Sequence, residues 1–317
     1  MERTTAKKNK YEIDMCNGTI MDKLISFSLP LMLSGILQLM FNAVDIIVVG
    51  RFSGSQALAA VGSTSALINV FTNLFIGISL GANVLTARFY AAGREKEVSE
   101  TVHTAITLAL VSGIIMALVG LVFSRGALAL MGTPDDVIGL SALYMRIYFL
   151  GMPFFMLYNY GAAILRAVGD TKRPLLFLVI AGVINACLNM VLVIVFKLGV
   201  AGVAIATVIS QMISCVLVLR CLCQSKTSYQ LRFSELGMKG YYLKQIFSVG
   251  VPAGIQSTVI NFSNVLLQSS VNSFGSTAMA GYTAANNLLG FLYVSVNSIT
   301  QACMSFTSQN YGVGKLK

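Results

Sequence analysis

Charged residues are scarce in this sequence. They make up 11% of its 317 residues, whereas hydrophobic residues make up 56% and the mean hydropathy is +0.77. A soluble domain carries about 25% charged residues, so this composition excludes an ordinary soluble protein and indicates one that lies in a bilayer. The net charge of +10 does not indicate a nucleic-acid partner, because the basic residues are confined to short gaps between long apolar runs.

Residues that support catalysis are also scarce. His103 is the single histidine, so no histidine-based metal motif is present, and the sequence contains neither a GxGxxG pattern nor a P-loop. The six cysteines are expected to pack as small hydrophobic side chains. We therefore expect neither an enzyme nor a bound cofactor. The polar N-terminal stretch lacks a secretory cleavage pattern after an apolar core, which predicts a cytoplasmic tail.

Long apolar runs predict an all-α integral membrane protein, a polytopic helical bundle. A spanning helix needs about 20 mainly apolar residues. Runs this long differ from the short alternating segments of a membrane β-barrel. Pro30, Pro153 and Pro252 lie inside runs and are expected to kink them. Eight runs qualify as spans: 24–49, 57–86, 100–123, 137–163, 174–196, 200–223, 245–273 and 278–309.

The lysine and arginine residues predict the orientation of these helices. Most of them lie on the side that holds the N-terminus and the loops after the second, fourth and sixth runs. Arg51, Arg125 and Lys197 lie on the other side, and Arg146 lies within a run. By the positive-inside rule, the N-terminus and those loops are expected to be cytoplasmic.

The sequence contains an internal repeat. FSLPLMLSGILQ from Phe27 is repeated, with changes, as FSVGVPAGIQ from Phe247, and residues 81–96 align with residues 302–317. Six runs precede the second copy, so both copies start on the same side, as in some secondary transporters. We expect a cytoplasmic tail at 1–22, a six-helix N-lobe at 23–223, a cytoplasmic loop at 224–243 and a partial, two-helix C-lobe at 244–317. A complete second copy would need about four more helices.

Asp45, in FNAVDIIVVGRF, is the one carboxylate inside an apolar run. A charge at the bilayer centre costs about 2.5–3.5 kcal/mol, so such a residue is a functional candidate by default. The alternatives are a helix-end carboxylate that reaches headgroup water, or one that is paired with an arginine. Arg146 is the rival partner, because it also lies inside a run.

Three polar residues are expected near Asp45. At 1.5 Å per residue, Asn189 and Thr207 fall in the same membrane layer as Asp45, and Asn185 lies one helical turn from Asn189. A carboxylate, two amide oxygens and a hydroxyl suit a hard cation or a proton. Hydrogen bonding between helices is the alternative use of the three uncharged residues. Other polar residues within the runs are expected to line a water-filled path: Gln38, Asn42, Arg146, Asn159, Gln256 and Asn286.

NAVDIIVVGRF, GAAILRAVGDTKRP (161–174) and INACLNMVLVIVFKLGVAGVAIATVIS (184–210), together with the repeat, resemble the multidrug and toxic compound extrusion (MATE) family, and most closely its bacterial DinF-like branch. The resemblance implies a MATE-like fold and an antiporter in the bacterial cytoplasmic membrane. It would be a monomer that exports organic, often cationic or amphipathic compounds in exchange for Na⁺ or H⁺.

The resemblance assigns Asp45, Asn185, Asn189 and Thr207 to the family's cation site, with Na⁺ as one possible occupant, and Gln38 and Asn159 to its cavity. Related sites carry an acid in place of Asn189, which leaves the coupling ion open. Two alternative functions are a flippase for lipid-linked saccharides of the same superfamily and a membrane scaffold that transports nothing. The flippases often carry several basic residues in the cavity, and the scaffold would not need Asp45.

Overall fold

The computed structural model describes residues 11–272 and 276–315, and within them every regular element is helical. This confirms the all-α prediction. The elements are α1 (Ile20–Phe52), α2 (Ser55–Ala91), α3 (Glu95–Leu130), α4 (Asp135–Leu150), α5 (Met152–Ala167), α6 (Lys172–Asn189), a π-helical turn (Met190–Val195), α7 (Gly199–Cys223), a 3₁₀ turn (Phe233–Glu235), α8 (Gly240–Asn272) and α9 (Ser276–Gly312).

Most of the predicted spans have the length and composition that a membrane requires. In the described residues, α1, α2, α3, α7 and the segment Lys172–Val195 qualify, and α4 with α5 is a sixth candidate as one bent span. Helices α8 and α9 have 33 and 37 residues but are more polar than these. The seventh and eighth predicted spans therefore form as helices, but they do not have the apolar composition of the other six.

The fourth predicted span, 137–163, forms as two helices with a bend between them, close to the kink expected at Pro153. Helix α4 ends at Leu150, α5 begins at Met152, and the two are bent by 48°. Pro153 lies in the first turn of α5, where its missing N–H breaks no hydrogen bond. Helices α1 and α8, in contrast, continue through Pro30 and Pro252.

The fifth predicted span, 174–196, changes its winding near its end. Helix α6 stops at Asn189, and Met190–Val195 forms the π-helical turn. Lys197 and Gly199 follow with positive φ angles of 53° and 54° and reverse the chain into α7. π-helical turns are rare and occur frequently at functional sites, and this one starts directly after a predicted site residue.

The main hydrophobic core lies among α2, α3, α4, α5 and α7, where Met145, Phe149 and Tyr160 are among the buried side chains. A smaller core joins α1 to α9, with the Phe27 and Phe306 rings edge to face at a centroid distance of 5.8 Å. The fold thus has one large core and a satellite core that connects its first and last helices.

We call the end of the bundle that holds the start of α1, the α2–α3 and α5–α6 turns and the α7–α8 loop the basic end. In the half of the bundle nearer this end, α2 and α8 cross through facing glycines. A Cβ added to Gly77 would collide with the backbone of Gly254, and one added to Gly254 would lie 2.6 Å from the Leu74 carbonyl oxygen. The backbones therefore touch, and α8 is joined to α2 at this crossing.

Candidate cation site

Helices α1 and α6 approach closely near Asp45. A Cβ added to Gly182 of α6 would overlap the ring of Phe41 on α1, so this contact depends on glycine. Both helices start at the basic end and run in the same direction. Asp45 lies one turn beyond Phe41, and Asn189 lies two turns beyond Gly182. The close approach therefore places Asp45 opposite Asn189.

The four predicted side chains form one chain of hydrogen bonds. Asn189 Nδ2 donates to Asp45 Oδ1 and to Asn185 Oδ1, the latter at 3.2 Å. Asn185 Nδ2 donates to Thr207 Oγ1 at 3.5 Å, the outer limit of a hydrogen bond, and Thr207 Oγ1 donates to the Val203 carbonyl at 2.9 Å. The structure thus brings together residues of α1, α6 and α7 that are far apart in sequence.

One oxygen in this set has no partner. Asn189 is fully buried, and its Oδ1 accepts no hydrogen bond in the described part of the chain. A buried acceptor left in this state costs about 1–3 kcal/mol. Asp45 adds a half-buried carboxylate close by. A carboxylate, amide oxygens and a hydroxyl are ligands suited to a hard cation, so the residues present fit a cation as occupant.

Arg146, the rival partner of Asp45, does not pair with it. Arg146 is exposed, whereas its neighbours Tyr144 and Met145 are buried against the core. No ion pair between Arg146 and Asp45 occurs among the described residues. The direction of α4 side chains thus excludes this pairing in the structure.

The tyrosines of α4 are neighbours of the site that the sequence did not reveal. The rings of Tyr144 and Tyr148 stack at a centroid distance of 6.1 Å and an angle of 29°, and both side chains interact electrostatically with Asp45. Their spacing of four residues places them on one helix face. This spacing is the only feature of the sequence that links the two tyrosines to each other. Aromatic residues in an apolar run are otherwise typical of core packing.

Two predicted cavity residues lie on the helix of Asp45. Gln38 and Asn42 are exposed, and their spacing from Asp45, seven and three residues, places all three on one face of α1. Gln256 on α8 is exposed as well. Gln38 and Asn42 thus form a polar stripe on α1 that leads to Asp45.

The other predicted cavity residues contribute less. Asn159 is half-buried, and its Nδ2 donates to the Phe155 carbonyl of its own helix at 2.8 Å, a bond that needs no ligand. The side chain of Asn286 lies outside the described residues.

A buried polar seam, which we call the basic-end seam, closes the basic end between α2, α5 and α9. Ser305 Oγ donates to Asn83 Oδ1 at 3.1 Å, and Asn83 Nδ2 donates to the Ala163 carbonyl at 2.8 Å. Gln309 Nε2 donates to the Ala167 carbonyl at 2.7 Å. The Ala167 carbonyl is the last of α5, and the helix itself leaves it without a donor.

The chain resembles known proteins over nearly its whole length. A model of the MatE family matches residues 30–191 and 252–317. The chain is 34% identical over 298 residues to the probable multidrug resistance protein YoeA of Bacillus subtilis (strain 168), which covers 91% of this chain and 64% of that protein. It is 29% identical over 305 residues to the probable multidrug resistance protein YpnP of the same organism, covering 96% and 68%. The chain thus spans about two thirds of the length of the curated relatives it matches.

A solved structure supports the same fold. It is described as the outward-facing conformation of a multidrug resistance MATE family transporter of the MOP superfamily. It superimposes with a TM-score of 0.90 at 23% sequence identity and covers 98% of this chain and 69% of that chain. This similarity shows that the chain shares the helical fold of that structure over nearly its whole length.

Proposed function

The chain belongs to the MatE family, and on that premise we propose that it works as a cation-coupled antiporter that exports organic compounds from the cytoplasm. The observation that carries the proposal is the set of Asp45, Asn185, Asn189 and Thr207, in which a carboxylate inside a membrane span lies beside a buried oxygen without a partner. Intramembrane carboxylates are expensive and mark ion pathways. The names of the relatives, multidrug resistance proteins, support organic compounds, often cationic or amphipathic, as the substrate class.

The coupling ion is Na⁺ or H⁺, and Asn189 adapts the site to it. In the described arrangement its N–H points at Asp45 and its Oδ1 is buried without a partner. A half turn of this amide presents Oδ1 to an arriving Na⁺, so that the cation replaces a hydrogen-bond donor beside the carboxylate. A proton on Asp45 would instead donate to the same oxygen. Either ion removes the net negative charge of the site.

Removal of that charge is the step that drives export. An ionised Asp45 needs water or a donor, whereas a neutralised site tolerates closer packing of α1 against α6 and α7. Repacking of α1 would shrink the space beside Gln38 and Asn42 and expel the substrate. The ion then leaves on the other side when the basic end opens, as alternating access requires.

The direction of transport follows from the predicted orientation. We take the basic end as cytoplasmic, in line with the concentration of lysine and arginine residues there. The basic-end seam and the α2–α8 crossing then close the cytoplasmic side, while Gln38 and Asn42 lie toward the outside. Asp45 would therefore meet ions from outside in this conformation.

The test is efflux from lipid vesicles under imposed gradients. Vesicles that contain the protein and ethidium, an organic cation, are given an inward-directed gradient of Na⁺ or of protons, and ethidium release is followed by fluorescence. We expect release driven by one of the two gradients. Asp45→Asn should abolish it while membrane insertion is retained. Asp135→Asn, the same change at the exposed first residue of α4, should have no effect.

Two outcomes would count against the proposal. Ion-driven release that is unchanged in Asp45→Asn would remove the carboxylate from the mechanism. The absence of ion-driven release of any organic cation from vesicles with the unaltered chain would favour the scaffold.

A further inference from the structure

The segment 11–18, which precedes α1 and which we call the N-terminal strap, is bound at the basic end both to α2 with the α7–α8 loop and to α9. We propose that the strap is a latch that holds the basic end closed, and that its second half must leave α9 before the basic end opens. The proposal rests on the proposed function in one respect, since it assumes that the basic end opens during transport.

The first half of the strap is anchored to the first seven helices and their loops. The Glu12 carboxylate accepts hydrogen bonds from the hydroxyls of Tyr90 on α2 at 2.9 Å and Tyr229 in the α7–α8 loop at 2.7 Å. The Ile13 N–H donates to the Gly169 carbonyl at 3.2 Å. Gly169 has a φ of +99°, and a Cβ there would lie 2.6 Å from the Ile13 carbonyl oxygen, so the strap lies directly on this turn.

Tyr229 is suited to be a lasting anchor. It is fully buried, and this burial raises the pKa of its phenol. The hydroxyl therefore stays protonated at physiological pH and remains a donor to Glu12. Glu12 is half-buried and accepts two hydroxyl donors, so it holds the first half of the strap to α2 and to the α7–α8 loop.

The second half of the strap is held by α9 and by Lys315 just beyond it. Asn310 Nδ2 donates to the Met15 carbonyl at 3.1 Å. Lys315 Nζ donates to the Cys16 carbonyl at 2.7 Å and to Asn17 Oδ1 at 2.9 Å. Two side chains of the last helix region thus bind three consecutive residues of the strap.

Met15 adds an apolar contact to these bonds. Its side chain is 2% exposed and lies in the satellite core with Phe27 and Leu31 of α1 and Ala302 and Phe306 of α9. This core and the basic-end seam lie side by side, because Phe306 follows Ser305 directly. The strap therefore covers the place where α9 closes against the rest of the molecule.

Opening of the basic end would break the contacts of the second half of the strap but not those of the first half. Movement of α9 away from α2 and α5 separates Asn310 and Lys315 from the strap and removes Ala302 and Phe306 from the core around Met15. The bonds of Glu12 to Tyr90 and Tyr229 lie within one part and survive. Contacts that exist in one conformation only are those that set the balance between the two, so the Met15 half determines how readily the basic end opens.

A cross-link tests whether the strap must leave α9. Cys16 Sγ lies 3.9 Å from Gln309 Oε1, so positions 16 and 309 are neighbours and a cysteine at position 309 can be tested for cross-linking to Cys16. Gln309→Cys is made in a chain that keeps Cys16 and has serine at the other native cysteines, namely Cys187, Cys215, Cys221, Cys223 and Cys303. Oxidation with copper phenanthroline should form the disulfide, detected by mass spectrometry after proteolysis, and should stop ethidium efflux until dithiothreitol is added.

Two controls accompany the cross-link. Gln309→Ser loses the same hydrogen bond to Ala167 but forms no disulfide, so oxidation should leave its efflux unchanged. Ser298→Cys lies on the same helix three turns away and should not cross-link to Cys16. Normal efflux by the cross-linked protein would overturn the latch.

A second measurement does not depend on transport. Ser305 is 2% exposed, so Ser305→Cys in the cysteine-free background reports opening through its rate of reaction with a membrane-impermeant maleimide. Met15→Ala should raise that rate on the order of tenfold, because it removes the buried contact with α9 that exists in the closed form alone. Ile20→Ala, at a residue that is 66% exposed next to the strap, should not change it.

Equal labelling of the Met15→Ala and Ile20→Ala variants would contradict the latch. The two proposals fail in different ways. If the strap cross-links to α9 and slows labelling, but the chain shows no ion-driven efflux, the latch stands and the proposed function fails. If efflux persists in the cross-linked chain, the proposed function stands and the latch fails.

Discussion

The α2–α8 crossing offers a direct way to shift the protein between conformations. We predict that Gly77→Ala opens the basic end. The added Cβ would collide with the backbone Cα and N of Gly254 and would lie 3.1 Å from the Ala253 carbonyl carbon. These atoms belong to backbone, so no side-chain rotation relieves the collision, and the two helices must move apart.

The magnitude follows from the cost of overpacking, which is about 1–3 kcal/mol for a well-packed contact. Helices α2 and α8 touch here in the closed form, so the cost falls on that form and not on one in which they separate. The ratio of open to closed molecules should therefore rise about 5- to 150-fold. Gly62→Ala is the matched control, because it lies on the same helix and an added Cβ meets no atom within 4 Å.

The assay is a distance measurement by double electron–electron resonance. Spin labels on native Cys303, exposed on α9, and on Lys96→Cys, exposed at the start of α3, report the separation across the basic end. We expect a longer distance to gain population in Gly77→Ala and not in Gly62→Ala. Identical distance distributions in the two variants would refute the inference that the glycine contact holds the closed form.

Two further predictions concern single contacts. Gly182→Ala should push α1 away from α6 and separate Asp45 from Asn189. At the same overpacking cost of about 1–3 kcal/mol, the Na⁺ or proton concentration for half-maximal ethidium efflux should rise about 5- to 150-fold. An unchanged concentration would mean that the contact between α1 and α6 does not position the site residues. Asp170 is fully buried and paired with Arg173, so Asp170→Asn should lower the free energy of unfolding by about 3–5 kcal/mol; a denaturation midpoint equal to that of the unaltered chain would contradict this.

The helices could be predicted because the membrane requires long apolar runs. The run 57–86 became α2 (Ser55–Ala91), and the run 245–273 became α8 (Gly240–Asn272). A bend in the run 137–163 could be predicted from Pro153, but its position at Gly151 could not, because the run stays apolar through it. The π-helical turn after Asn189 also has no signal in composition, since its residues are as apolar as those of an α-helix.

The proximity of Asp45 to Asn189 and Thr207 could be predicted from depth alone, because a fixed rise per residue places them in one layer. The orientation of α4 could not be predicted in this way. Depth made Arg146 a plausible partner of Asp45, whereas the packing of α4 turns Tyr144 toward the core and leaves Arg146 exposed. Which face of a helix meets its neighbours depends on contacts that a single sequence does not specify.

The contacts that the polar segments make could not be predicted from the sequence either. Residues 11–18 have the composition of a free tail, yet they bind side chains nearly 300 residues away, such as Asn310 and Lys315. His103 is another polar residue whose contacts could not be predicted from the sequence. Its Nδ1 lies 2.6 Å from the Ser99 carbonyl oxygen and its Nε2 accepts the Arg232 N–H at 3.0 Å, which anchors the α7–α8 loop on α3.

We propose that Asp45 carries the coupling ion. Ion flux measured together with ethidium efflux in the same vesicles tests this role. We expect outward movement of ethidium to be accompanied by inward movement of Na⁺ or protons, and we expect Asp45→Asn to abolish both fluxes while Asp135→Asn preserves both. Inward ion flux coupled to ethidium that persists in Asp45→Asn would contradict it.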